Sequence, residues 1–112
     1  MLESEFYEAL LPLARDELAQ LSSADEALLA RLTIQSAALE QSDEHGAHIV
    51  VTFRDPERPD CLFGWRWSWA DDPKPDEVEF AAATLRVNLE EDLLSDRYGL
   101  PADCAPGGVT WF

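Results

Sequence analysis

The sequence predicts an α+β domain, an antiparallel sheet of three to four strands packed by an N-terminal helical segment and one long C-terminal helix. Three observations predict it. Tyr7, Leu11, Ala14, Leu18 and Leu21 recur at helical spacing near the start. In the centre, Cys61, Phe63, Trp65, Trp67 and Trp69 alternate with Leu62, Gly64, Arg66, Ser68 and Ala70 at strand period, which places all three tryptophans on one face. Further on, Val78, Ala81, Ala82, Leu85, Leu89 and Leu93 form a long helical stripe. A chain of 112 residues, 46% hydrophobic, suits one compact core and a single domain over 1–112.

Ser4 is a candidate cap for a first helix running to Leu21, with Glu5 and Glu8 placed favourably in its first turns. Pro12 lacks a backbone donor and is expected to kink or break that helix. Ser23-Ala24-Asp25-Glu26 has capping-box form ahead of Leu28 and Leu29, a second helical start. Arg31 to Gln41 fits a helix or a strand. The strand is preferred, because Thr33 and Ile34 are β-branched and Ser42-Asp43-Glu44-His45-Gly46 makes a turn into His48–Arg54, the clearest strand of the chain. Asp55 to Asp60 is expected to be a loop in which Pro56 and Pro59 forbid regular pairing. A third strand follows from Cys61 to Ala70 and ends at Asp71-Asp72-Pro73-Lys74-Pro75. Asp76, Glu77 and Glu79 open the C-terminal helix, which continues to about Ser95. Its second apolar stripe, Phe80, Ala83, Val87 and Leu94, requires that it lie between the sheet and the first helix or be covered by another copy or a partner. Gly99 to Gly108 reads as irregular chain, and Val109–Phe112 as a short edge strand.

With 23 acidic residues against 8 basic ones, the formal net charge is -15. Such a surface repels a phosphate backbone and an anionic bilayer, so neither nucleic acid nor membrane is an expected partner. The acidity serves solubility, tolerance of high salt, or attraction of a basic protein. It is unevenly spread: residues 1–30 carry a net -6, 31–70 a net -2 and 71–112 a net -7, so the helical segments hold most of it. The first residues have neither the basic start nor the apolar run of a secretion signal, and the expected location is the cytoplasm.

Cys61 and Cys104 have no zinc-ligand spacing and read as buried or idle thiols; a disulfide between them is conceivable in an oxidising setting, but nothing in the sequence points to one. No nucleophile elbow, phosphate loop or metalloprotease helix is present, so no cofactor is implied and no catalytic residue is assigned. The paired acids Glu90-Glu91-Asp92 and Asp71-Asp72 point apart on their elements and make poor metal sites. Two candidate binding surfaces remain. His48 and Arg54 on one strand and Arg66 on the next share a sheet face that suits an anion or acidic ligand, or that is simply solvated. Trp65, Trp67 and Trp69 either form core beneath the helices, the preferred reading, or line a groove for a ligand.

The function expected from these features is noncatalytic, an interaction module whose acidic helices engage a basic partner. Inhibitor or immunity-type proteins that neutralise basic toxins are analogous in charge and size. The alternatives are a small-ligand or anion-binding protein or enzyme using the Trp-rich sheet with Arg66 and His48, and a homodimer built on the second stripe of the C-terminal helix.

Overall fold

The computed structural model describes residues 3–24, 32–69, 74–94, 104 and 107–111. Two helices cover one face of a four-stranded sheet, in the order α1 (Glu3–Ala24), β1 (Thr33–Ser42), β2 (Gly46–Asp55), β3 (Arg58–Trp67), α2 (Val78–Leu94, led in by a 3-10 turn at Pro75–Glu77) and β4 (Val109–Trp111). The class is therefore α+β, and the strand order is β1-β2-β3-β4. β1, β2 and β3 pair antiparallel as expected, but β4 joins β3 in parallel, which makes the sheet mixed.

α1 runs through Pro12 as one continuous helix, so the proline does not break it. The missing donor leaves the carbonyl of Glu8 without its helical partner, and Glu8 and Pro12 both lie on the exposed side of the helix, where such a loss costs least. Ser4 lies inside the first turn and not at a cap. Phe6 and Leu10 join Tyr7, Ala14, Leu18 and Leu21 in the core. Ser23 and Ala24 end α1, and the rest of the expected second helical start lies outside the described residues. The stretch from Thr33 to Ser42 is strand, bulged between Ile34 and Ser36. Its hairpin with β2 turns through Asp43-Glu44-His45 into Gly46, whose φ of 67° is the left-handed conformation that closes a three-residue hairpin loop.

The expected loop at Asp55–Asp60 is a correction. Only Pro56 and Glu57 form the turn, and β3 already begins at Arg58. Pro59 is accommodated because the register shifts beyond Arg54, so no ladder donor is required of it. The fully buried Asp55 carboxylate organises the turn, accepting from the Glu57 amide at 3.0 Å and the Arg58 Nε at 2.9 Å.

Ile49, Val51 and Phe53 pair with Trp67, Trp65 and Phe63 and form the sheet side of the core. α1 lies across β1 and β2, and α2 packs along α1 through Ala81, Ala82, Leu85 and Leu89. Of the second stripe of α2, Phe80 is 65% and Val87 47% exposed and Ala83 is exposed too, while the Leu94 side chain lies outside the described residues, so α2 is not sandwiched between the sheet and α1. Among the described residues, no helix is long and apolar enough to cross a membrane.

The cysteines are not thiols. Cys61 and Cys104 are joined in a disulfide across 43 positions, Cα to Cα 5.7 Å, and this corrects the reading of idle thiols. The pairing follows from topology, because β4 returns beside β3 and brings the chain ahead of it back to Cys61.

Candidate functional site

The two sheet faces have separate characters. On the helix side, Trp65 is 6% and Trp67 7% exposed, so this part of the ladder is core. The Trp65 Nε1 donates to Asp92 Oδ2 of α2 at 2.6 Å, which pins the helix to the sheet. Trp67 meets Tyr7 and Trp69 edge to face. Trp69 is half-buried, its amide donates to the Tyr7 hydroxyl, and its ring lies between Phe6 and the outward Phe80. Its Nε1 is buried without a partner among the described residues, so the ladder is least well satisfied where it meets α2's exposed stripe.

On the opposite face, the candidate cationic residues do not converge. Arg54 pairs with Leu62 and Arg66 with Val50, four rungs apart on the β2–β3 ladder, or about 13 Å along the strands. The Arg54 Nη1 donates to the Pro59 carbonyl at 3.1 Å. The Arg66 guanidinium stacks 3.6 Å from the Trp111 ring centroid, a cation–π contact. Trp111 in turn lies against Gly64, in the space that any Cβ at that position would occupy. His48 is buried, and its Nδ1 donates to the Gly46 carbonyl at 2.9 Å. Its Nε2 is 4.0 Å from Glu40, beyond hydrogen-bond range. Ser36 and Thr52 complete the face with a cross-strand hydroxyl pair at 2.6 Å.

The exposed tryptophan is therefore not one that the alternating pattern singled out. Trp111, 38% exposed, should dominate the quencher-accessible emission, with the half-buried Trp69 contributing less. A Trp111→Phe variant is expected to shift emission to the blue and to lose most of its acrylamide quenching. Strong residual quenching that persists in a Trp69→Phe, Trp111→Phe double variant would show that Trp65 or Trp67 is open to solvent.

The helical layer has the features of a docking surface. α1 carries five acidic residues and Pro75–Leu94 six, with one arginine in each. Both arginines are engaged within the fold. Arg86 lies 3.6 Å from Glu17 and 3.5 Å from Glu90, and the Arg15 Nε donates to the Ala37 carbonyl. Between the helices is a groove of about 320 Å³, with Leu13 and Ala82 among its apolar walls and Asp16, Glu17 and Glu79 around it. Asp16 and Glu79 are exposed and have no cationic partner among the described residues. The outward Phe80 and Val87 stand on the same helix as Glu79, so apolar and anionic surface adjoin. The helical wheel marks Phe80 and Val87 in advance, whereas the groove joins Asp16 to Glu79 across 63 positions and has no signature in either segment.

Comparison with protein-family models, curated proteins and solved structures returned no match. The function rests on this geometry alone. Within the described residues, no three histidine, cysteine or carboxylate side chains are grouped so as to hold a metal ion.

Proposed function

We propose that the chain is a noncatalytic interaction module, of inhibitor or immunity type, that binds a basic protein through its two-helix layer. The observation that carries this reading is the exposed Phe80–Val87 stripe beside a groove edged by the carboxylates of Asp16 and Glu79, which have no cationic partner among the described residues. An apolar anchor flanked by charge is the pattern of an interface hot spot and its rim. A lysine or arginine of the partner enters the acidic groove, while an apolar partner surface covers Phe80 and Val87. The carboxylates raise the rate of encounter and select for basic partners. Self-association through the same stripe is disfavoured, since it brings Asp76, Glu77 and Glu79 of two copies together.

The small-ligand alternative has less support. Trp65 and Trp67 are core, Arg66 is stacked on Trp111, and His48 is buried with its Nδ1 bonded to the Gly46 carbonyl. Location enters the proposal through the Cys61–Cys104 disulfide, which favours an oxidising compartment over the cytoplasm expected from the first residues.

The test is to capture the partner on the immobilised chain, identify it, and measure its affinity for variants by calorimetry at low and high salt. A Phe80→Ser, Val87→Ser double variant is expected to bind at least ten times more weakly at both salt concentrations. Asp16→Asn with Glu79→Gln should weaken binding mainly at low salt, where exposed charges are least screened. A partner without a basic surface, or one that binds both double variants like the parent chain, would overturn the reading.

A further inference from the structure

A second surface lies at the sheet edge, away from the exposed stripe of α2. β1 is a terminal strand of the sheet, and beside it lies a groove of about 630 Å³ walled on the other side by α1. Leu18 and Ala19 of α1 face Ile34 and Ala37 of β1 across it, and Arg15 lines it as well. The Arg15 Nε donates to the Ala37 carbonyl at 3.1 Å. Two consequences follow from that bond. Since the Ala37 carbonyl points away from β2, alternation along an antiparallel strand turns the backbone groups of Leu39 and Gln41 outward too, where no described strand pairs with them. The bond also fixes the guanidinium at the groove, with no carboxylate paired to its terminal nitrogens among the described residues. Arg15 is the only cation of α1.

We infer that this groove takes the free C-terminal end of an extended polypeptide, which adds to β1 as an antiparallel strand and places its α-carboxylate on Arg15. The occupant is determined by three complementarities. An unpaired strand edge satisfies its backbone groups with another strand. A guanidinium held by its Nε presents its two terminal nitrogens to the two oxygens of a carboxylate. The apolar walls at Leu18, Ala19 and Ile34 suit a hydrophobic last side chain. Antiparallel direction sets the rest of the sequence, because upstream residues of such a segment run toward Glu40, Asp43 and Glu44 and are therefore basic. A segment with an apolar free C-terminus and basic residues before it matches the middle of β1 at Ala37 and the acidic chain at its C-terminal end.

The probe is an acetylated seven-residue peptide, Lys-Val-Lys-Val-Lys-Val-Val, made once as the free acid and once as the C-terminal amide and titrated into the isotope-labelled full chain. The free acid is expected to shift the amides of residues 33–42 and 15–19, and the amide form to bind at least ten times more weakly. Arg15→Gln should abolish the preference for the acid. Ala19→Trp, which fills the groove without altering charge or core, should weaken both peptides. Phe80→Ser should leave peptide binding unchanged, so failure here and failure of the docking reading on α2 are separable. Equal affinity for acid and amide, or shifts confined to α2, would overturn the inference. Shifts of the β1 amides with the chain's own concentration would also overturn it, by showing that a second copy takes the edge.

Discussion

Trp67→Ala is expected to destabilise the fold by about 3–5 kcal/mol, the range for deleting a large aromatic side chain from a packed core. Trp67 is 7% exposed and stands opposite Ile49 on β2 with Tyr7 of α1 over it, so its removal leaves a cavity among residues that strand pairing and helix packing hold in place. Urea denaturation of the parent chain and the variant measures the difference directly. The result bears on function, because a tryptophan lining an open ligand groove loses little stability on truncation. A loss below about 1 kcal/mol would return the ladder to the list of binding surfaces. Trp65→Phe is a milder companion, removing the bond to Asp92 while keeping most of the apolar volume.

Replacing Cys61 and Cys104 together by serine is expected to cost about 4 kcal/mol, from the chain entropy regained by an unfolded state no longer closed across 43 positions. For a chain of 112 residues that corresponds to a fall of about 15 °C in Tm. Thermal unfolding with and without reductant, alongside thiol titration of the denatured chain, makes the comparison. An unchanged Tm would mean that the bridge does not close in solution and would remove the argument for an oxidising compartment. In the folded state the bridge ties β3 to the chain preceding β4, a strand of only three residues. Reduction should therefore loosen β4 first and release Trp111 from Gly64 and Arg66.

Much of this architecture was legible in the residues because each regular element repeats its own signature. The period of two in Cys61–Trp69 puts the tryptophans on a single face, and the period of 3.6 in Val78–Leu94 gives that helix two apolar stripes, of which only the structure shows that Phe80 and Val87 are left exposed. Pro12 and Pro59 misled for a common reason. A proline reports a missing donor, but whether that donor is needed depends on what surrounds it, an exposed helix face in one case and a register shift in the other.

The candidate site was legible only in part. Phe80 and Val87 lie on a helical wheel for anyone to see, and Arg15 is conspicuous as the lone base among the acids of α1. Their partners are remote: Arg15 meets Ala37 after 22 positions, and Tyr7 meets Trp69 after 62. Local sequence therefore determined which face of each helix and strand is apolar and which segments carry the negative charge, since side-chain direction repeats with the backbone period. Tertiary structure decided the parallel return of β4, the Cys61–Cys104 bridge, the groove beside β1 and the meeting of Asp16 with Glu79. Each joins distant residues whose spacing carries no periodic mark, and only the free energy of burying one shared core selects them from the other closures open to the chain.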